Sequence, residues 1–344
     1  MGGAMKKIVC FGEIMLRLNP PECLRIKQTD VFEASYAGGE ANVAVSLANY
    51  GAEAAFVTKL PDNDLAERAL RELRSYGVDV SRIVRGGERL GVYFVEKGAS
   101  QRPSKVIYDR RHSAIAEAAP GEFDWDAIFA GAGWFHFTGI TPALSDALAD
   151  TCLAACRKAK EHGMTVSCDL NYRGKLWSPE KAASVMGPLM EYVDVCIANE
   201  EDAEKVFGIR PADNNVENGR INRAGYVDVA RELCRRFPCR QVAVTLRESI
   251  SASDNRWSAM LYADGAACFS KSYLIHIVDR VGSGDSFGGA LIYALGSGYS
   301  QQDAVEFAAA ASCLKHTVAY DFSQATVDEV QALVDGDASG RVKR

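Results

Sequence analysis

The sequence predicts an α/β protein in which a mainly parallel sheet is flanked by helices on both faces. Three observations carry the prediction: strand-length apolar runs alternate with amphipathic stretches, helical patterns stop at glycine, and two sequence-distant segments break the rhythm. In order, the runs are Ile8–Cys10, Ala54–Thr58, Trp134–Phe137, Met164–Cys168, Val193–Ala198, Gln241–Leu246 and Tyr273–Val278. Strands that alternate with helices pair in parallel, because a helical crossover returns the chain to the same end of the sheet. The helices read as Ala41–Tyr50 ending at Gly51, Leu65–Tyr76 at Gly77, and Ala143–Glu161 at Gly163. A further helix follows Gly282, where Phe287, Ala290, Leu291 and Ala294 recur at helical spacing.

The two exceptions are residues 14–34 and 90–112. Their short alternating segments read as antiparallel strands that form a small β-sheet, placed as a lid over the C-terminal edge of the main sheet, where α/β proteins bind ligands. Leu16, Leu18, Val92, Phe94, Val106 and Tyr108 are its apolar positions. One domain is expected over residues 5–344, and Met1–Ala4, which precede a second methionine, are set aside as an extension. Residues 212–223 are polar and asparagine-rich, the composition of a surface loop.

Composition narrows the function. With 344 residues, 48% of them hydrophobic, the chain can bury a sizeable core. The net charge of −6 and the lack of basic runs interleaved with aromatics argue against a nucleic-acid partner and for small molecules. No signal-like segment or membrane-length apolar run occurs, so a cytoplasmic location and no membrane partner are expected. The ten cysteines are scattered. Cys10, Cys168 and Cys196 fall in strands as small hydrophobes, and Cys152 and Cys156 lack the companions a zinc site needs.

The chemistry concentrates at Gly282-Ser283-Gly284-Asp285-Ser286-Phe287-Gly288, which joins an extended run to a helix and carries one acid at the hinge. Amides at a helix start have no intrahelical partner and, with the helix dipole, attract anions. A carboxylate there makes sense if Asp285 takes a proton from a hydroxyl while the amides hold a phosphoryl group, which is phosphoryl transfer to an alcohol. A simple helix cap is the plainer alternative. Neither a P-loop nor a Rossmann fingerprint is present: Gly174-Lys175 is followed by Leu176, and the third hinge glycine arrives one residue late. Three other segments put polar groups at element ends: Gly38-Gly39-Glu40-Ala41-Asn42, Asp169-Leu170-Asn171-Tyr172-Arg173, and Asn199-Glu200-Glu201-Asp202. The last suits hydrated magnesium and phosphate, or simply an N-cap with first-turn acids.

From about Lys7 to Val334 these segments resemble the ribokinase-like, or PfkB, family of sugar kinases. The resemblance rests on Ala37-Gly38-Gly39-Glu40-Ala41-Asn42-Val43-Ala44 and on Asp279-Arg280-Val281-Gly282-Ser283-Gly284-Asp285-Ser286-Phe287, in that order. It implies a ribokinase-like fold, ATP and Mg2+ as co-reactants, and Asp285 as the base. By the same resemblance the amides of Gly282, Ser283 and Gly284 form the anion hole, and Gly38, Gly39 and Asn42 touch the sugar. Asn199, Thr245, Arg247, Gly282 and Gly284 contact the nucleotide, and Asn199 and Asp202 hold magnesium through water. Some relatives add a monovalent cation, here near Asp279 and the loop Tyr320–Gln324. A homodimer formed by packing the lids together is also implied. Three departures stand out: Arg280 where the family usually has Thr, Asp202 where it has Glu, and Arg247-Glu248-Ser249 in place of a glycine-containing turn.

Within the family the chain looks most like 2-keto-3-deoxygluconate kinases, at Gly91–Phe94, Val106–Arg110 and Asp169–Trp177. Tyr108 and Arg110 lie two apart on a strand and share a face. With Tyr93 and with Arg173 from the core, they would grip a sugar-acid carboxylate in fork geometry, leaving the far hydroxyl for Asp285. A fructokinase or other sugar kinase, and a non-catalytic sugar-binding sensor, are the alternatives at this stage.

Overall fold

The computed structural model describes residues 5–199, 201–210 and 222–337. Met1–Ala4 and nearly all of the asparagine-rich stretch lie outside the described residues. Nine strands form the main sheet, in the order 266–269, 254–263, 241–249, 195–198, 165–169, 132–138, 7–11 and 54–57, with Tyr273–His276 also pairing on Asp254–Ala263. From Ala54–Val57 across to Gln241–Ser249 every pairing is parallel, as expected.

Beyond that the sheet turns antiparallel, which the helix–strand alternation did not foretell. Gln241–Ser249 runs past its expected end at Leu246 and folds back on Asp254–Ala263 with no helix between them. The reversal is closed by the amides of Ile250 and Ser251 donating to the Asp254 carbonyl. Arg247-Glu248-Ser249 is therefore strand and not turn. Tyr273–His276 joins the same antiparallel edge and stops two residues short of the expected Val278.

Successive side chains on a buried strand point to opposite faces, and each face has its own core. Val9 and Phe11 join Trp125, Phe129, Phe135 and Phe137 on one side. Ile8 and Cys10 join Phe56, Phe287 and Phe307 on the other. Truncating a fully buried ring such as Phe137 to alanine would cost about 3–5 kcal/mol. The glycine stops hold: Gly51, Gly77 and Gly163 have φ of 81°, 79° and 67°, the left-handed region that ends a helix at little cost. All ten cysteines are free, with Cys10, Cys168 and Cys196 buried. Among the described residues no helix is long and apolar enough to cross a membrane.

The two exceptional segments do meet as a separate four-stranded sheet, ordered Glu33–Ala37, Met15–Asn19, Gly91–Glu96, Lys105–Asp109. Its central pair is parallel, not antiparallel, with Met15 opposite Gly91 and Leu18 opposite Phe94. Strands from segments so far apart are joined by helices and core strands, and such a crossover permits parallel pairing. The apolar positions named from the sequence do not all share one face. Met15, Arg17 and Asn19 are buried, with Tyr93 and Val95 beside them, while Leu16, Leu18, Val92 and Phe94 lie on the outer, partly exposed face. The inner cluster of Met15, Ala37, Tyr93 and Val95 packs against Val281, just before the glycine hinge.

Candidate active site

The hinge is a tight turn followed by the helix Ser283–Gly296. Gly282 adopts φ 84°, and a Cβ there would lie 2.2 Å from the Asp321 carbonyl oxygen, so only glycine fits. The turn draws the Ser283 amide to the Arg280 carbonyl at 3.3 Å, and the Ser283 hydroxyl donates to the same oxygen at 2.9 Å. Ser283 is thus taken up by the turn and does not donate to the cleft. Among the described residues the amides of Gly282, Gly284 and Asp285 have no protein partner, and they lie at the positive end of a helix. A Cβ on Gly284 would meet nothing within 4 Å, so the backbone is open to a ligand there.

Asp285 sits in the first turn of this helix, beneath Gly39 of the facing helix Gly39–Asn49. Asn42 donates its side-chain amide to Asp285 Oδ2 at 2.6 Å, so this amide binds the acid and not the sugar directly. Burial pushes the Asp285 carboxyl up to about 7, against the Asn42 hydrogen bond; Asp321 and Glu40 add to the rise and Arg173 opposes it. A carboxylate balanced near neutrality can take a proton from an alcohol.

Tyr93, Tyr108, Arg110 and Arg173 all line the same cleft, which has a volume of about 270 Å³. Their polar ends are not equally free. The Tyr93 hydroxyl donates to Asp321 Oδ2 at 2.9 Å. Arg110 pairs with buried Glu13 at 2.8 Å and stacks over the Tyr108 ring at 4.7 Å. Arg173 donates one contact to the Tyr172 carbonyl at 3.1 Å and otherwise faces carboxylates: its charge acts on Asp169, Asp202 and Asp285. Burial, then the charges of Asp202 and Asp285, push Asp169 well up. Asn171, next to it, holds φ 41°, a left-handed conformation that asparagine tolerates.

At the other end, Thr245 and Arg247 lie two apart on one strand, with Arg247 opposite Trp257. Asn199 and Asp202 close a local turn. The Asn199 side-chain Oδ1 accepts the amides of Glu201 and Asp202, and the two Asp202 carboxylate oxygens accept those of Tyr172 and Asn199. Among the described residues no group of three or more His, Cys, Asp or Glu side chains is gathered for direct metal ligation. The donor set suits a magnesium ion that keeps most of its water and arrives with phosphate.

A monovalent cation near Asp279 and the loop Tyr320–Gln324 does not fit the residues present. The fully buried guanidinium of Arg17 lies on both acids, bonding Asp279 Oδ2 at 2.6 Å and Asp321 Oδ1. Lys315 Nζ, also fully buried, donates to the Asp279 carbonyl at 3.3 Å. Lys97 approaches Asp279 to 4.0 Å.

All the residues expected to touch sugar, nucleotide or magnesium line this one cleft, although they come from seven separate stretches of chain. Asp169, Asn171, Asn255, Trp257 and His316 line it too, without having been assigned a role. Arg17 carried no signal beyond a charge in an alternating strand.

The pfkB family carbohydrate kinase model matches residues 5–321. A crystal structure of 2-dehydro-3-deoxygluconokinase from Thermotoga maritima superposes with a TM-score of 0.93 at 55% identity, covering 97% of this chain and 99% of that one. The 2-dehydro-3-deoxygalactonokinase of Haloferax volcanii is 36% identical over 334 residues, 97% of this chain and 98% of its own. A putative ribokinase II from Escherichia coli, solved with ATP and Mg2+, shares the fold, with a TM-score of 0.80 at 18% identity over 96% of this chain and 99% of that one. With its glycine hinge, its buried acid and a family match over most of its length, the chain belongs to the pfkB family of carbohydrate kinases.

Proposed function

We propose that this kinase transfers the γ-phosphoryl group of ATP to the terminal hydroxyl of 2-keto-3-deoxygluconate, with Asp285 as general base. The observation that carries the base assignment is the carboxyl of Asp285, held near 7 beside three unpartnered amides. As the O6–phosphorus bond forms, the hydroxyl proton passes to Asp285. The bond from phosphorus to the bridging oxygen breaks, and ADP leaves with that electron pair. The Gly282, Gly284 and Asp285 amides face the charge on the transferring group. Magnesium bound with ATP would neutralise phosphate charge, and Asn199 and Asp202 would hold it through its water shell.

The choice of sugar is supported by the name of the Thermotoga relative and by Arg173, whose remaining donors face the cleft. Arg110, already paired with Glu13, adds a fixed cation at the cleft wall. The Haloferax relative's name supports the C4 epimer as a competing acceptor. ADP release should be followed with both epimers, fructose and ribose; faster turnover of either neutral sugar would sink the sugar-acid reading.

The small sheet is read as a lid that closes over the sugar and keeps water from ATP. Its outer face, carrying Leu18, Val92, Phe94 and the 40% exposed Ile107, is read as the contact of a two-fold homodimer. Val106 and Tyr108, which align with Val95 and Tyr93, belong to the inner face. Light scattering at micromolar concentration should give a dimer mass, and bound sugar acid should slow hydrogen exchange over residues 90–112. A monomer without that protection would reject both readings.

A further inference from the structure

We infer that Arg17 is a built-in counter-cation for the catalytic loop, standing where a monovalent ion would otherwise be required, so that the enzyme works without potassium or sodium. This rests on the kinase reading of the same site.

Asp279 and Asp321 are the two supports of the loop. Asp279 Oδ1 accepts the Val281 amide at 3.1 Å, and the Asp321 backbone carbonyl abuts Gly282. Both acids are almost completely buried, so their charges need neutralising if the loop is to hold its shape. Two basic side chains answer them from inside the protein: Arg17, bonded to both carboxylates, and Lys315, which donates to the Asp279 carbonyl. The planar guanidinium bridges both carboxylates at once, which fixes the separation of the two supports and hence the direction of the hinge amides. A metal ion added to the cluster would stand against a guanidinium with no carboxylate left to compensate it.

The bridge also comes from the small sheet. Arg17 pairs across it with Tyr93, whose hydroxyl takes the other oxygen of Asp321. Arg17 is thus a positioning residue: it touches neither sugar nor phosphate but sets the loop that does.

The test compares potassium chloride with tetramethylammonium chloride at equal ionic strength. For the wild type, turnover of the sugar acid and the melting temperature should be the same in both salts. The Arg17→Ala protein should lose roughly a hundredfold in kcat, the scale of a misplaced catalytic group. Guanidinium chloride at low concentration, or potassium, should restore part of that loss and raise its melting temperature selectively. Arg17→Lys, which keeps the charge but not the fork, guards against a misfolded alanine variant and should lower kcat while leaving both KM values near normal. Activation of the wild type by potassium, or a potassium-specific rise in its melting temperature, would overturn the inference. So would normal kcat in Arg17→Lys together with unrescued, normal kcat in Arg17→Ala. A wild type that melts identically in both salts yet phosphorylates none of the sugars would leave this inference standing on its melting data and reject the functional reading.

Discussion

Three acids lie around one short loop, and their surroundings divide them. Asp279 and Asp321 share a guanidinium and sit near a buried lysine. Among the described residues, Asp285, six residues beyond Asp279, has only the neutral amide of Asn42 as its hydrogen-bond donor, with Arg173 acting from farther away. Burial raises the carboxyls of both Asp321 and Asp285, and at Asp321 the Arg17 guanidinium opposes the rise. The two acids bridged by Arg17 form a scaffold, whereas Asp285, pushed up to about 7, is the base in the proposed reaction.

The comparison can be broken most sharply at Asp285. Asp285→Asn should lower kcat by roughly two to four orders of magnitude, the usual span for a general base, with sugar-acid binding retained. Near-normal turnover would make Asp285 a cap. Asp321→Asn should act instead on stability, losing about 3–5 kcal/mol in chemical denaturation because Arg17 is left short of one carboxylate. An unchanged midpoint would show that the cluster does not support the loop.

The same logic makes Asp285→Asn stabilising. The folded carboxyl is raised from an ordinary 3.8 to about 7, so the native state holds a proton that the unfolded chain releases as pH rises between those values. The wild type therefore loses stability through that window, and above pH 7 the asparagine protein should be more stable by up to about 4 kcal/mol. The gap should close near pH 4; a gap independent of pH would point to packing instead.

Arg173→Ala should raise KM for the sugar acid roughly ten- to hundred-fold, since one charge-assisted contact is worth about 1.5–3 kcal/mol. Arg110→Ala should raise KM and also lower stability, because it strands Glu13. An equal loss with fructose would remove the carboxylate argument. The smallest effect is the acid limb of the wild-type pH profile: kcat/KM should fall roughly tenfold per unit below about pH 7, as Asp285 takes up its proton. A profile flat down to pH 5 would mean that the base is another group.

Features that depend on backbone conformation were legible in the sequence. The helix stops needed left-handed residues and were written as glycine, and the hinge needed both close approach and an acid. What depended on distant partners was not. Arg17 bonds acids 262 and 304 positions away, and an alternation that displayed Leu16 and Leu18 concealed that Met15, Arg17 and Asn19 form the buried face. Asp254–Ala263 begins polar and ends apolar, so it offered no period to identify it as a strand. Ser283 was assigned to the anion hole because spacing cannot show that a tight turn engages its amide.

The sequence separation of the Arg17 bridge also sets a schedule for synthesis. Asp321 is added 304 residues after Arg17, which at roughly 5–20 residues per second is about fifteen seconds to a minute. The parallel strands and their helices can assemble during that interval, but the guanidinium has only water for company and the hinge lacks one of its supports. Competence for phosphoryl transfer therefore arrives late, and a partly synthesised chain leaves the cell's ATP untouched.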